Sequence, residues 1–447
     1  MLDPKVFKAY DVRGIYPTEL DEEGAYAIGR AVVEQFEPKR FAVGRDMRVS
    51  SPAMAAAAIR GAADGGADVL DLGMIGTEML YFAVGELGLD GGLTVTASHN
   101  PKDYTGMKIV RRGALPVGGE SGLLDVRDRA VAATWREATP GTVEQVDVWP
   151  QYVDRVMSFI DVSAVRPLKV VIDAANGMAG ALLPPVLERL PMVETVRCFF
   201  EPDGSFPNHE PNPLLPENRE FIVGKTLAEG ADLGVAFDGD GDRCFFVDDG
   251  GEFVPGDFVT ALFAESVLAK EPGAKIIYDV RASWAVPETI ERDGGVPLVN
   301  RVGHAFIKAR MRKDHAAFGG EVSGHYYFRD FSQADTGVVP FLLMLELVSR
   351  KGKKLSEILA PLRSTFFITG EINTPVPDVA LKLQEIKERY AGEAEITHLD
   401  GISVDGDGWH FNVRPSNTEP LLRLNLEART QEEMERRRDE VLDLIRS

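Results

Sequence analysis

Three times along this chain a short apolar run stops at an aspartate, passes through a helix-like stretch, and resumes as a second apolar run. A third run then ends in a polar, glycine-rich loop. The first runs are "FAVGRD" (41–46), "VVID" (170–173) and "KIIYD" (275–279), and the second are "ADVLDLG", "VETVRCFF" and "VPLVNRVG". The closing loops are "TASHNP", "DGDGDR" and "GEVSGH". Strands alternating with helices build βαβ units, and ligand loops collect at the carboxyl ends of their strands. The pattern predicts three similar mixed α/β domains, each sending one loop to a shared site.

Local signals place the helices. In "SSPAMAAAAIRGAADGG", Ser51 suits the cap, Pro52 the first helical position, and Gly65–Gly66 the stop. The last stretch differs: "GWHFNVRPSNTEPLLRLNLEA" alternates like paired strands around a loop, and Thr430 with Glu433 forms a capping box for a final charged helix. The basic triplet Arg436 to Arg438 in that helix reads as a solvated face. "TPGTVEQVDVWP", "DDGGEFVPGD" and "TGEINTPVPD", rich in Gly, Pro and acid, read as linkers. Together these give α/β domains over 1–146, 147–249 and 250–363, and a smaller C-terminal α+β domain over 364–447.

Composition narrows the function. No run of 18 apolar residues is present, and the start "MLDPKVFKAYDVRG" does not resemble a signal peptide. Cys198 and Cys244 are the only cysteines, so neither a disulfide framework nor a cysteine metal site is expected. A soluble, cytoplasmic protein without a membrane partner is the expectation. The formal charge of -21 opposes a nucleic-acid partner but leaves room for a small anion in a local basic cleft.

The loops carry the chemistry. In "FDGDGDRCFF", Asp238, Asp240 and Asp242 sit two apart, and the glycines between them let the chain curl so that the carboxylates face one point. Hard oxygen donors of this kind suit Mg²⁺, whereas the spacing and closing glutamate of an EF-hand are missing. An acidic turn between strands is the plain alternative. Arg243 would add positive charge beside the metal.

"TVTASHNPKDYTGMKIV" runs a strand into Ser98, His99 and Asn100, where Pro101 stops it. Taken alone it also fits a hydrogen-bonded turn. Beside a metal, Ser98 makes sense as a phosphoserine whose phosphate supplies a further metal ligand, with Lys108 and Arg13 adding charge or handling a proton, and His99, structural if read alone, becomes a catalytic candidate. In "HFNVRPSNTEP", Arg414 can grip phosphate bidentately while Ser416, Asn417 and Thr418 supply further donors. Arg423, on the following strand, fits that clamp or a simple ion pair. Glu321, Ser323 and His325 in "GGEVSGH" suit recognition of sugar hydroxyls. Arg301, Gly303, His304 and Lys308 precede them in "NRVGHAFIK".

These loops, in this order, resemble the α-D-phosphohexomutase superfamily, specifically its phosphomannomutase/phosphoglucomutase branch. The resemblance runs from "YDVRG" and "GRDMRVSS" through "PDGSFPNHEPNP" to "RPSNTEP". It implies three similar α/β domains and a smaller fourth around a central cleft. It also implies a phosphoserine at Ser98 and Mg²⁺ on Asp238, Asp240 and Asp242. Sugar contacts would come from Glu321 and Ser323, and phosphate contacts from Arg414, Ser416, Asn417 and Thr418. The substrate implied is a small phosphosugar. Tyr104, and the absence of glutamine between Glu321 and Ser323, depart from the phosphoglucosamine branch. Val322 departs from the methionine of bifunctional mannose/glucose enzymes, which leaves the hexose open. "QADTGVV" is looser than the family's acidic-glycine stretch, so Asp335 receives no role.

The expected reaction is a reversible shift of phosphate between O6 and O1 of a hexose, mannose first and glucose second. It would pass through hexose 1,6-bisphosphate, which also serves as activator. The alternatives are a phosphoglucosamine mutase, a serine-based sugar phosphatase, and a catalytically inert phosphosugar binder.

Overall fold

The computed structural model describes residues 2–416 and 420–447. The chain divides into two units, Met1–Phe253 with His325–Leu355, and Val254–Gly324 with Ser356–Ser447. The stretch 250–363 is thus shared between them.

In the first unit, the parallel strands Arg40–Arg45, Asp68–Met74 and Gly91–Val95 correspond to the first α/β repeat. Tyr104–Arg111 and Val12–Ile15 extend that sheet antiparallel beyond Gly91–Val95. Helices Glu22–Phe36 and Ser51–Asp64 cross so closely that a Cβ on Gly29 would lie 2.3 Å from the Ala58 carbonyl oxygen. A second sheet runs Cys244–Asp248, Leu233–Phe237, Leu168–Asp173, Val193–Cys198, parallel except at Cys244–Asp248. Ser98 follows Gly91–Val95 and Asp238 follows Leu233–Phe237, each at the carboxyl end of a parallel strand, where such sheets present their ligands.

The second unit carries the parallel strands Lys275–Asp279, Val296–Asn300 and Phe318–Gly320. Its C-terminal sheet is wholly antiparallel, in the order Phe367–Pro375, Leu421–Ala428, Trp409–Pro415, Ile402–Gly406, Glu395–Thr397. Val404, Phe411, Val413, Leu422 and Leu424 form its dry core beneath the helices Val379–Tyr390 and Gln431–Arg446. Among the described residues, no helix is long and apolar enough to cross a membrane.

Several local expectations change. Ser51 lies inside its helix and donates its hydroxyl to Asp46 at 2.5 Å, so it does not cap. Thr430 accepts from the Glu433 N–H, but the Glu433 carboxylate pairs with Arg436 and Arg437, leaving the capping box half made. Arg437 also lies 4.2 Å from the Trp409 ring, so the basic triplet is not wholly a solvated face. The three linkers are structured. Val143–Gln145 pairs with the first sheet, and the "DDGGEFVPGD" turn closes on the Asp248 carboxylate, which accepts from the Gly250 and Glu252 N–H groups. Much of "TGEINTPVPD" belongs to the strand Phe367–Pro375, where Gly and Pro are tolerated because it is an edge strand.

Glu78 is a fully buried carboxyl in the helix Thr77–Glu86. It accepts from the Tyr152 hydroxyl and from the Gly337 N–H, at 2.6 Å, at the start of the helix Val338–Lys351. Burial pushes its pKa up to about 7, against the opposing pull of Tyr152, Thr336 and Gly337. A carboxyl with a raised folded pKa binds protons better folded than unfolded between pH 4.5 and 7. Its contribution is complete below pH 4.5 and lost as pH rises through 7, on the order of 3 kcal/mol. Glu78→Gln keeps the shape without the charge. Its thermal midpoint relative to wild type should therefore rise between pH 5 and 8. A difference constant over that range would show that Glu78 does not titrate there.

Candidate active site

Ser98 occupies the left-handed region, with φ 47, on a turn held by a bond from its own N–H to Thr96 Oγ1 at 2.9 Å. Its hydroxyl is buried and donates to Asp238 Oδ2 at 2.9 Å. His99 Nδ1 lies 3.2 Å from the same oxygen. Burial first, then the nearby Arg243 and Arg13, hold the His99 pKa well below the usual imidazole value. Arg13, on the strand beside Tyr104–Arg111, donates to Asp11 and to the side chain of Asn100.

The acidic loop meets this turn closely. A Cβ on Gly239 would fall 2.3 Å from the Ser98 carbonyl oxygen, and Gly241 has φ 76, so both positions need glycine. Asp238, Asp240 and Asp242 are completely buried, with carboxylate oxygens within 4.8 Å of one another. Two cations are already drawn in. Arg243 Nε lies 2.9 Å from Asp238, and Lys108 Nζ lies 2.8 Å from Asp240 and bonds Asp242 as well. Burial opposes charge on Lys108, but Asp240 and Asp242 outweigh it and hold the ammonium well above its ordinary pKa. Burial, then the adjacent Asp240 carboxylate, push Asp242 up. Asp240 Oδ1 and Asp242 Oδ1 are buried and accept no hydrogen bond among the described residues. Converging hard oxygens, mutual repulsion and orphaned lone pairs fit a small divalent cation.

Residues distant in sequence complete the cluster. Thr77 donates its hydroxyl to Asp240 Oδ2. His325 Nδ1 stands 3.0 Å from Asp335 and 3.9 Å from Asp242. Asp335, given no role from sequence, therefore stands beside His325, and His325 lies with the aspartates in the first unit.

Glu321 and Ser323 belong to the second unit, where Glu321 Oε1 accepts from the Gly303 N–H at 2.9 Å. Gly303 has φ 127 and precedes the helix His304–Asp314, which contains a fully buried Lys308. Arg301 lies over the Phe306 ring at 3.1 Å. Arg414 and Arg423 face each other across paired strands, an arrangement that repels unless an anion joins them. Glu371 is that anion, 3.1 Å from each and 3.5 Å from Arg281. Asp279 holds Arg281 by two bonds of 2.9 Å. Arg423 also reaches Ser416 Oγ at 3.3 Å, while Asn417 and Thr418 lie outside the described residues. A carboxylate surrounded by three guanidinium groups marks a place that suits a phosphate.

Family models for the phosphoglucomutase/phosphomannomutase alpha/beta/alpha domains I, II and III match residues 4–123, 150–251 and 255–366. The model of that family's C-terminal domain matches 371–444. The chain belongs to the phosphoglucomutase/phosphomannomutase family. It is 44% identical to a phosphomannomutase of Salmonella montevideo, over 99% of both chains. It is also 44% identical to a protein of Xanthomonas campestris named phosphohexose mutases, over 98% of this chain and 99% of that one. The crystal structure of a phosphoglucomutase/phosphomannomutase family protein from Burkholderia thailandensis superposes with a TM-score of 0.90 at 34% identity, over 99% and 97% of the two chains. The enzyme is a phosphohexomutase, an isomerase that moves phosphate within a small phosphosugar. Its fold consists of four domains matching family domains I–IV.

Proposed function

We propose that the enzyme interconverts mannose 6-phosphate and mannose 1-phosphate, accepts glucose phosphates as well, and uses Ser98 as the phosphate carrier. The observation that carries this reading is the Ser98 hydroxyl set 2.9 Å from one of three buried aspartates. In the first half-reaction the free sugar hydroxyl attacks the phosphorus of phosphoserine 98. The new P–O bond forms as the P–Oγ bond breaks, giving hexose 1,6-bisphosphate and the Ser98 hydroxyl, whose Oγ takes up in exchange the proton that the sugar hydroxyl gives away. The sugar hydroxyl's proton needs an acceptor. Lys108, held as an ammonium by two carboxylates, is unsuited, so we assign the proton to His325, which stands beside Asp335. The bisphosphate turns end over end and returns its other phosphate to Ser98.

Asp238, Asp240 and Asp242 would hold Mg²⁺, with the Ser98 phosphate as a further ligand. When bound, the ion neutralises phosphate charge. Lys108, Arg243 and Arg13 keep the surroundings of that phosphate positive. Arg414, Arg423, Arg281 and Ser416 bind the phosphate that is not reacting, displacing Glu371 from their donors, and Asn417 and Thr418, next in sequence, contribute to the same phosphate. Glu321, Ser323, Arg301, Gly303 and His304 read the sugar, within domains that we place at 1–146, 147–249, 250–363 and 364–447.

Incubation with mannose 1-phosphate, Mg²⁺ and a trace of mannose 1,6-bisphosphate should yield mannose 6-phosphate. Free phosphate instead would indicate a phosphatase, and no turnover a binder. If glucosamine 6-phosphate is the best substrate, the hexose assignment falls.

Arg414→Ala should weaken every phosphosugar alike. Because Arg281 and Arg423 remain beside Glu371, the expected loss in kcat/KM is about 2 kcal/mol, roughly thirtyfold. A loss confined to one sugar would show that Arg414 reads hydroxyls.

A further inference from the structure

The Arg48 guanidinium lies almost wholly buried behind the Ser98 turn. One terminal nitrogen donates to the Ser98 and Asn100 carbonyls at 2.8 and 2.6 Å. The other donates to the Pro101 and Tyr104 carbonyls at 2.8 and 3.2 Å. A single cation thus gathers four main-chain oxygens of the loop that carries the phosphate. The planar fork of arginine suits this task, since its donors diverge in fixed directions that an ammonium does not reproduce.

Arg48 is itself fixed. Asp46 accepts from its N–H at 3.0 Å and sits 3.4 Å from its Nε. The Phe206 ring lies 5.1 Å from its guanidinium carbon. A Cβ on Gly204 would come within 2.4 Å of the Arg48 Cα, so the segment "PDGSFPNHEPNP" closes directly over it. Ser98 needs such a fixture. A left-handed serine is strained and persists only when its surroundings over-determine it.

We infer that Arg48 is a positioning residue: by binding these carbonyls it holds Ser98 in its left-handed conformation, aims the hydroxyl at Asp238, and so sets the rate of phosphoryl transfer to and from Ser98. This rests on Ser98 being the phosphate carrier. Loading from hexose 1,6-bisphosphate breaks a sugar O–P bond, makes the Oγ–P bond, and passes the serine proton to the sugar oxygen. An Oγ displaced by about an ångström should slow that exchange roughly a hundredfold.

The test follows Ser98 loading by intact mass after mixing with glucose 1,6-bisphosphate, alongside steady-state kinetics. Arg48→Lys, which keeps the charge and loses the fork, should load about 10–100-fold more slowly and lose kcat in proportion, with KM for hexose phosphate little changed. Added guanidinium should partly restore Arg48→Ala. Phe206→Leu, which loosens the clamp without touching the fork, should show a weaker form of the same kinetic pattern. Wild-type loading and kcat in folded Arg48→Lys would overturn the inference. So would a raised KM at unchanged kcat, or a loss in Phe206→Leu that follows only the folded fraction. Should wild type itself take up no phosphate on Ser98, the carrier reading fails instead.

Discussion

Ser98→Ala is expected to lose turnover by on the order of 10⁴-fold or more while remaining folded. Intact-mass measurement should find one added phosphate on a fraction of wild-type chains and none on the variant. Alanine keeps the β-carbon and meets the same left-handed backbone, so the turn should survive, held by Arg48 and by the Thr96 side chain. What disappears is the one oxygen that donates to Asp238. Thr96 does not replace it, because its hydroxyl is engaged by the Ser98 N–H. Near-normal turnover in Ser98→Ala would end the phosphoserine mechanism.

Asp240→Asn should weaken Mg²⁺ binding and lower kcat on the order of 10³-fold at metal concentrations that saturate wild type, with partial recovery as metal is raised. Asp240 takes the Lys108 ammonium and the Thr77 hydroxyl and, after burial, helps to raise the pKa of Asp242. Asparagine preserves the volume and one carbonyl acceptor but removes one of three converging charges. The metal-free chain should stay folded, because the lost Lys108 attraction is offset by relief of repulsion with Asp238 and Asp242. Calorimetric titration with Mg²⁺ reads the binding change independently of activity. Undiminished Mg²⁺ affinity in the variant, or full wild-type activity in excess chelator, would remove the aspartates from the metal site.

The sequence by itself determined the strands and their terminal loops, because apolar runs and glycine-rich breaks are local properties. "DGDGDR" was legible as a ligand loop for the same reason: its three carboxylates and the glycines that bend them lie within five residues. Only the tertiary structure decided which groups act on them. Thr77 reaches Asp240 across 163 positions and Lys108 reaches Asp242 across 134, spacings to which no periodicity is sensitive. Asp335 gained its place when the short strand Ala334–Asp335 paired with Tyr326–Phe328 and set it against His325. Glu371 sat in a stretch whose Gly, Pro and acid imitate a linker. It became the counter-ion of Arg281, Arg414 and Arg423 only because an edge strand carries it alongside two facing arginines. Arg48 shows the same division, since its terminal nitrogens bind backbone carbonyls, which every residue carries, and so leave no particular residue type to find for them in the sequence. Local chemistry is written in neighbouring residues, whereas the convergence of charges depends on how the folded chain brings distant strands and loops together.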